Sequence, residues 1–391
     1  MRIGLRTIAG CLAGAAALAA AGGASAAGSV AQRVPYAYGK RADPLLAPRF
    51  KVFDVAWRQS LVQRGLLEYA PRELAGPAVD DLTGEIAVAT RDGTVLLLTG
   101  NGHEIWRSSV GAAATGTPLV TDEAIYVGAA DGALHALARF DGAEMWSAYL
   151  AGEVIETPIA DGGRVYVGTD HDAVHALDEQ TGEAAWVYRR DTGSQLSIRG
   201  GTGVSVGDGR IYAGFSDGAI VALAPDDGRT LWQAPLAGQG VDKFPDADAV
   251  PVFRDGTLYV TVYNDGTYAL DAATGKVRWR ADTRGASSLT LDGDRLFVGG
   301  ADAWAIDANT GAVVWSVDLR SGWTARPLVV GKLVVLAGST GMLFAERDTG
   351  RPLRVFDPGS GFASVPAARG SEIYAISNLG YLYALRTAVA P

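Results

Sequence analysis

Histidine and cysteine are two of the residue types that commonly hold a metal ion or supply a nucleophile in proteins. The chain has four histidines, and only His171 and His175 lie near one another, four residues apart. Two histidines at that spacing bind zinc together when they share one face of a helix, whereas these two fall on a strand and its turn. We therefore expect solvated or turn-packed histidines, and His103 and His135 stand alone.

The sequence also lacks the short patterns of the common catalytic sites. Cys11 is the single cysteine, so the chain after it has neither a disulfide nor a thiolate metal site. No Gly-Lys-Ser/Thr phosphate loop and no Gly-x-Ser-x-Gly nucleophile elbow occurs. Asp and Glu are plentiful, but they occupy turn positions without a local cluster. We predict no catalytic residue, no bound metal and no cofactor.

The elements that would position any site are copies of one four-stranded unit, clearest at residues 251–279. Within it, residues 258–263 form a β-branched and aromatic run, and Asp265-Gly266 favours a tight hairpin. A Gly followed four residues later by a Trp recurs six times, as Gly102/Trp106, Gly142/Trp146, Gly182/Trp186, Gly228/Trp232, Gly275/Trp279 and Gly311/Trp315. A period of roughly 40 residues with four strands per unit indicates a β-propeller. A β-sandwich would not need this fixed spacing.

The two ends of the chain complement each other. Residues 53–61, with Trp57, look like the fourth strand of a unit that lacks the other three, and residues 365–385 supply three strands. Pairing them would leave no open blade at the ends of the chain. We predict an all-β fold at residues 51–387, an eight-bladed β-propeller of four-stranded antiparallel blades, closed by an N-terminal strand that pairs with the C-terminal repeat.

The first 50 residues are predicted to lie outside the propeller. Residues 1–26 have a positive start, an apolar run at 8–21 and an Ala-Ser-Ala cleavage site, as in a signal peptide of an exported protein. Ile8-Ala9-Gly10-Cys11 also fits a bacterial lipoprotein signal. We favour cleavage near Ala26 over lipidation of Cys11, because the apolar run follows Cys11. Residues 27–50 are interpreted as a tether without regular structure.

Charge narrows the choice of partners. The formal net charge is -9, and it becomes -11 once Arg2 and Arg6 leave with the signal peptide. An acidic surface argues against nucleic acid and anionic membranes as direct partners. We expect membrane attachment only through a partner or through a lipid anchor at Cys11.

Two of the connections between units are longer than the rest. Most take 10–12 residues, whereas those at 186–204 and 232–251 take 18 and 19. They belong to consecutive blades, so they should be neighbours in space, and loops on a rigid scaffold often carry binding residues. Leu196 and Ile198 are apolar residues in the first loop, and Arg199 is a donor suited to carboxylates and carbonyls.

The pattern Ala-Leu-Asp-x-x-Thr-Gly-x-x-x-Trp at residues 269–279 resembles the repeat of the pyrroloquinoline-quinone (PQQ) type propellers, and the likeness spans about residues 76–387. In that family the Gly and the Trp brace neighbouring blades, so we interpret the repeated Trp residues as core. The N-terminal strand, the eight units and the long connections further resemble the BamB family, propeller subunits of the outer-membrane β-barrel assembly machinery. The resemblance implies a non-enzymatic scaffold at the periplasmic face of the outer membrane.

The resemblance extends to the two long connections. In the BamB family, Leu-Ser-Leu-Arg-Gly and Asp-x-Asp-x-x-Pro segments contact a POTRA domain of the barrel subunit BamA. Leu-Ser-Ile-Arg-Gly at 196–200 and Asp-Ala-Asp-Ala-Val-Pro at 246–251 correspond to them here. The residues implied in binding a BamA-like partner are Leu196, Ile198, Arg199, Asp246 and Asp248. An ion pair between Arg199 and these carboxylates that ties the two loops together is the structural alternative, and both roles are compatible.

Other function classes stay open at this point. Unfolded outer-membrane proteins are further candidate partners under the same resemblance. The runner-up is a periplasmic PQQ-dependent quinoprotein dehydrogenase or a relative that binds a small ligand in its central channel. Such enzymes commonly use a vicinal disulfide and a calcium site, for which the sequence offers no pattern. A third alternative is an extracytoplasmic sensor or polysaccharide-binding propeller.

Overall fold

The computed structural model describes residues 51–62, 71–191, 202–236, 246–247, 249–319 and 325–388, and the backbone of residues 32–35. These residues form 33 strands and no helix, so the described part of the chain contains no helix that could cross a membrane. By its internal contacts the chain divides into residues 1–30 and 31–391, and all the described residues belong to the second unit. The predicted signal peptide lies outside the described residues.

The strands are arranged in eight sheets, which are the blades of a propeller, and the predicted eight-bladed all-β fold is confirmed. The chain begins with β1 (Gln32–Pro35) and β2 (Phe53–Ser60). Blade 1 contains β3 (Ala78–Val79), β4 (Ile86–Ala89), β5 (Thr94–Leu98) and β6 (Glu104–Ser109), and blade 2 contains β7 (Leu119–Val120), β8 (Ala124–Gly128), β9 (Ala133–Ala138) and β10 (Glu144–Tyr149). Blade 3 contains β11 (Ile159–Asp161), β12 (Arg164–Thr169), β13 (Ala173–Asp178) and β14 (Ala184–Arg189). Blade 4 contains β15 (Val204–Gly207), β16 (Arg210–Gly214), β17 (Ala219–Leu223) and β18 (Thr230–Pro235).

The other four blades follow the same plan. Blade 5 contains β19 (Val252–Arg254), β20 (Thr257–Val262), β21 (Gly266–Asp271) and β22 (Val277–Ala281). Blade 6 contains β23 (Ala286–Asp292), β24 (Arg295–Gly300), β25 (Asp302–Asp307) and β26 (Val313–Asp318). Blade 7 contains β27 (Leu328–Val330), β28 (Leu333–Gly338), β29 (Gly341–Glu346) and β30 (Pro352–Phe356). Blade 8 combines β31 (Ala367–Arg369), β32 (Glu372–Ile376) and β33 (Tyr381–Thr387) with β2.

Burial explains which residues form which strand. The second strand of a blade is buried along nearly its whole length, as in β4 and β28, because neighbouring blades cover both of its faces. Such strands read as near-continuous apolar runs. The fourth strand lies at the outer rim, so most of its residues are exposed and its Trp is buried, as in β6 and β10.

The repeated Gly and Trp connect neighbouring blades at seven of the eight junctions, and blade 7 has Arg354 in place of the Trp. A Cβ atom on Gly142 would lie 2.5 Å from Cε3 of Trp106 in the preceding blade, and one on Gly182 would lie equally close to Trp146. These glycines have φ of +74° and +72°, which an L side chain rarely adopts. The indole Nε1 of Trp106 also donates to Arg139 O at 2.8 Å. The interpretation of the repeated Trp residues as braces between blades is therefore confirmed.

The ring closes as predicted. Strand β2 pairs antiparallel with β33, and Phe53 lies opposite Thr387. Trp57 on β2 packs against Gly102 of blade 1, since a Cβ there would lie 3.2 Å from the indole ring. The N-terminal strand therefore supplies both the outer strand of blade 8 and the brace to blade 1.

The tether is not wholly irregular. Residues Gln32–Pro35 form β1, which adds in parallel to the outer strand β26 of blade 6 with Gln32 opposite Trp315. That sheet consequently has five strands. The expectation of no regular structure at residues 27–50 is wrong for these four residues, because an outer blade edge offers unpaired backbone groups to any extended segment.

Consecutive strands of a blade run in opposite directions, so the ring has two faces. The turns between first and second strands and between third and fourth strands lie on one face, here called the turn face. The turns between second and third strands and the connections between blades lie on the other, here called the connection face. The two long connections both belong to the connection face.

Candidate functional site

The predicted partner-binding residues lie on the two long connections, of which the structure describes the ends. Leu196, Ile198 and Arg199 fall within residues 192–201, outside the described residues, and Asp248 also falls outside them. Asp246 is described, and it is buried, with 3% of its surface exposed. Its carboxylate is therefore not displayed on the described surface.

The described ends of the two connections lie against each other. A Cβ atom on Gly203, at the end of the first connection, would lie 2.6 Å from Cα of Val250 at the end of the second. A Cβ atom on Gly214 would lie 1.8 Å from the carbonyl oxygen of Ala247. Only glycine permits such close backbone approaches. The prediction that the two connections are neighbours in space is confirmed for these ends.

Arg190 fixes the start of the first connection to the next blade. Its Nε donates to Asp217 Oδ2 at 2.8 Å, and its Nη1 donates to Gln233 Oε1 at 3.3 Å. Its guanidinium carbon lies 5.8 Å from the centre of the Phe215 ring. Burial opposes the charge, but the hydrogen bond and the charge of Asp217 raise the pKa of Arg190 above its ordinary value. The first connection therefore leaves blade 3 from a fixed point.

Backbone hydrogen bonds fix the end of the second connection. The Ala247 N–H donates to Phe215 O at 3.1 Å, and the Tyr263 N–H donates to Asp246 O at 2.9 Å. Phe215 thus contacts Arg190 through its ring and Ala247 through its carbonyl. We name Arg190, Phe215, Asp217, Asp246 and Ala247 the connection bracket, because together they join blades 3, 4 and 5 at the base of both loops.

Tyr268 fixes the start of the second connection. Its hydroxyl donates to Leu236 O at 3.2 Å and also contacts the Asp265 carboxylate, and Arg280 Nε donates to Tyr268 Oη at 3.2 Å. Burial and the hydrogen bond to Asp265 raise the pKa of Tyr268 to about 12, so the phenol stays protonated at neutral pH. Both ends of the second connection are therefore held.

Sequence reasoning did not find the connection bracket, although one signal for it exists. The residue four positions after the repeated Trp is apolar in blades 1, 2, 4 and 6, where it is Val110, Leu150, Leu236 and Leu319. In blade 3 it is Arg190. A cation at a position that otherwise packs in the core indicates a specific partner. The identity of that partner, Asp217, depends on the fold.

The histidines do not converge on a site. His175 is buried, and burial together with the charge of Arg189 lowers its pKa to about 4, so it is neutral at neutral pH. The Nδ1 of His171 lies 2.6 Å from Ala151 O, and that of His135 lies 2.9 Å from Glu144 Oε2. No group of three or more metal-ligating side chains that could hold an ion occurs in the described part of the chain.

A cavity of ≈ 530 Å³ occupies the centre of the ring. Connections from around the ring line it, and its polar and charged lining residues include Arg72, Glu153, Glu156, Arg326 and Asn378. Charges of both signs face this space, and no single ligand chemistry is indicated by them.

The fold and the braces define the class of protein. Eight four-stranded blades, joined at seven of their eight junctions by a repeated Gly and Trp, are the architecture of the PQQ-like repeat propellers. A family model described as "Outer membrane protein assembly factor BamB" matches residues 54–138, 91–317 and 244–353. These matches together cover most of the chain, and the chain belongs to the BamB family.

Individual relatives agree with the family assignment. The outer membrane protein assembly factor BamB of Burkholderia pseudomallei is 29% identical over 312 residues, which cover 77% of this chain and 71% of that protein. The crystal structure of BamB from Moraxella catarrhalis has a TM-score of 0.73 at 21% identity, covering 86% of this chain and 100% of that one. At 21% identity, the similarity to the Moraxella catarrhalis structure shows a shared fold.

The fold is also similar to that of an enzyme. A quinohemoprotein alcohol dehydrogenase from Pseudomonas putida HK5 has a TM-score of 0.68 at 14% identity, covering 87% of this chain and 77% of that one. The shared element is the propeller, and the same propeller architecture hosts unrelated functions.

Proposed function

We propose that this protein is an outer membrane protein assembly factor that acts as a non-enzymatic scaffold at the periplasmic face of the outer membrane. The family match over residues 54–353 is the observation that carries the proposal. The relatives matched by sequence are named for this role. The predicted signal peptide at residues 1–26 is consistent with export to that compartment.

The proposed partner is a BamA-like barrel protein, bound through a POTRA domain at the two long connections. Leu196, Ile198, Arg199 and Asp248 are the proposed contact residues. The described ends of the two connections lie side by side on the connection face, and this supports the proposal. An apolar pair next to charges of both signs suits an interface with a desolvated centre and a polar rim.

Asp246 takes a different role in this proposal. Its side chain is buried at 3% exposure, and its carbonyl accepts a hydrogen bond from the neighbouring blade. We assign it to positioning the loop rather than to direct contact. Loops that are fixed before binding lose less conformational entropy when the partner arrives, so the connection bracket would contribute to affinity without touching the partner.

The test is the affinity of a BamA POTRA fragment for Arg199→Ala. An arginine at the centre of an interface contributes roughly 2 kcal/mol or more. We therefore expect binding about 30-fold weaker than for the unmodified protein, measured by calorimetry, with thermal unfolding unchanged. Unfolded outer-membrane proteins, the other candidate partners, can be titrated in the same assay.

Arg229→Ala is the matched control, because Arg229 is 70% exposed and follows a turn on the opposite face. It should bind like the unmodified protein. Full affinity of Arg199→Ala combined with lowered thermal stability would remove Arg199 from the contact surface. It would leave the alternative in which Arg199 and Asp246 only tie the loops to each other, and the Arg199→Ala, Asp246→Ala double variant would then lose stability without losing the partner.

A further inference from the structure

Leu82 and Phe140 are the two most exposed large apolar side chains among the described residues, at 87% and 91% exposure. Leu82 lies on the turn between β3 and β4 of blade 1, and Phe140 lies on the turn between β9 and β10 of blade 2. Both turns belong to the turn face. One exposed apolar residue needs no explanation, but two on neighbouring turns form a patch that suits contact with another molecule.

Arg139 joins the turns that carry this patch. Its Nε and Nη2 donate to Glu85 Oε2 at 3.1 and 2.6 Å, and its Nη2 lies 2.8 Å from Asp80 Oδ2. Its Nη1 donates to Thr121 O, and its backbone N–H donates to Glu123 O, both at 2.9 Å. Three turns of blades 1 and 2, residues 80–85, 121–124 and 139–142, are therefore bonded to one another.

The backbones beside both apolar residues are fixed as well. The N–H groups of Leu82 and Thr83 each donate to Asp80 Oδ1 at 2.8 Å, and Arg369 Nε donates to Asp81 O at 2.9 Å. On the other turn, the Trp106 indole donates to the carbonyl of Arg139. Such a surface is pre-organised, so binding to it orders little additional chain.

The repeat does not require either residue. The turn that carries Leu82 has six residues between the paired positions Val79 and Ile86, whereas the corresponding turns of the other seven blades have four or fewer. The position of Phe140, two before the repeated Gly, is polar or small in the blades with the same turn, where it is Gln180, Asp226, Ala273, Asn309 and Asp348. The patch is thus an addition to the propeller framework.

The charge around the patch is strongly negative. The three bonded turns carry six carboxylates and one guanidinium group, that of Arg139, which Asp80 and Glu85 already neutralise. The Arg369 guanidinium of blade 8 also lies against the Leu82 turn, so carboxylates outnumber guanidinium groups here by six to two. The other carboxylates around the apolar pair are Asp81, Asp122, Glu123 and Asp141. An anionic lipid surface would be repelled by them, and inserting them into a bilayer would be costly.

We propose that Leu82 and Phe140, with Asp81, Asp122, Glu123 and Asp141 around them, form a docking surface for a protein segment whose apolar side chains are flanked by lysine or arginine. The apolar pair supplies the desolvated centre, and the carboxylates supply a complementary rim that selects a basic partner. This Leu82–Phe140 surface lies on the turn face, opposite the long connections. It can therefore be occupied while the connection face holds another partner.

The experiment is a selection from a displayed library of random 12-residue peptides on the purified protein. We expect recovered peptides to combine large apolar residues with lysine or arginine. Their affinity is then measured by fluorescence anisotropy against Leu82→Ser, Phe140→Gln, a variant that takes the residue of the same position in blade 3. Binding should weaken at least tenfold, and Asp122→Lys, Glu123→Lys should weaken it comparably.

Val277→Gln, which alters a half-exposed apolar residue of blade 5, is the control and should bind the peptides normally. Peptides that bind the Leu82→Ser, Phe140→Gln variant as well as the unmodified protein would overturn the proposal, as would recovery of acidic or no peptides. Two further outcomes would also overturn it in favour of a different occupant. Loss of self-association in the variant, measured by sedimentation, would indicate a second copy of the chain as the occupant. Phe140-dependent binding to vesicles of zwitterionic or anionic lipid would indicate a lipid surface.

Discussion

The two faces of the ring are made from the same strands, yet they are held in different ways. On the turn face, the same contact repeats from blade to blade. The Trp of one blade packs on the Gly of the next, and its indole N–H donates to the carbonyl oxygen three residues before that Gly. On the connection face, the two long connections are held by contacts that occur once, such as the Arg190–Asp217 ion pair.

The difference shows how the ring separates stability from specificity. Repeated braces distribute stability over all the blades, so no one blade has to supply it. Contacts that occur once can be varied without disturbing the ring, which suits a surface that must recognise one partner. Substitutions among the strands and braces of the ring should therefore lower the stability of the whole domain strongly. Substitutions at the connection bracket should have smaller, local effects.

The largest effect is expected from removing the strand that closes the ring. A chain starting at residue 63 loses β2 and the buried residues Val52, Phe53, Leu61 and Val62. At 1.5–3 kcal/mol each this is about 6–12 kcal/mol, which is comparable with the whole stability of an ordinary domain. We expect no cooperative thermal unfolding. A chain starting at residue 51 keeps β2 and should unfold near the temperature of the unmodified protein; equal stability of the two truncated chains would contradict closure by β2.

A pH-dependent effect is expected from His175 inside the framework. Its pKa is about 4 in the folded chain and near 6.5 when unfolded, so the unfolded state binds the proton more readily as the pH falls from 6.5 towards 4. Folded stability attributable to His175 is full above pH 6.5 and declines by about 3 kcal/mol over that interval. His175→Leu should flatten this part of the pH profile in denaturant unfolding. A profile that His175→Leu leaves unchanged would contradict this assignment.

The brace itself can be tested with two glycines that have similar backbone angles. Gly182 has φ of +72° and faces Trp146, whereas Gly209 has φ of +67° and a Cβ atom there would have no neighbour within 4 Å. Replacing either with Ala costs about 1–2 kcal/mol for the left-handed backbone. Gly182→Ala should cost about 1–3 kcal/mol more, because the methyl group overlaps the indole. Equal losses in chemical denaturation would show that the indole contact carries no strain.

The smallest effect is expected at the connection bracket. Arg190→Ala leaves Asp217 without its charged donor, and we expect a loss of about 1–2 kcal/mol in the free energy of unfolding. The diagnostic change is local, because the Ala247 amide should exchange its hydrogen faster when Phe215 is no longer held. Hydrogen exchange resolved to single amides measures this. An unchanged Ala247 rate would separate Arg190 from the second connection.

The sequence was sufficient to predict the eight-bladed propeller because short local patterns specify each blade. Each blade is specified by an apolar run, a turn at Asp-Gly or Thr-Gly and a Trp at fixed spacing, as in residues 251–279. The pairing of residues 53–60 with the last repeat also followed, since an isolated fourth strand and an incomplete last unit can only be satisfied by each other. These signals act within about 40 residues and repeat.

The site was less predictable because its contacts are not local. Asp246 was predicted to bind a partner, but its side chain is buried and its backbone carbonyl accepts a hydrogen bond from the Tyr263 N–H. Arg190 meets Asp217 only after two blades have been placed side by side. Strand β1, Gln-Arg-Val-Pro, is too short for a periodic pattern, and its partner strand β26 is distant in the sequence, at residues Val313–Asp318. Such features depend on tertiary structure that no local pattern encodes.

The closure of the ring also determines when the chain, as it emerges from its N-terminus to its C-terminus, can become fully folded. Strand β2 is among the first parts of the domain to be made, and its partner β33 is the last. Until the final repeat has emerged in the compartment where the chain folds, β2 has no edge to pair with, and the long stretch of chain between the two strands makes their meeting slow. A chain cut short before residue 381 would keep an unpaired strand, open to proteases and to aggregation. The ring thereby distinguishes complete chains from incomplete ones.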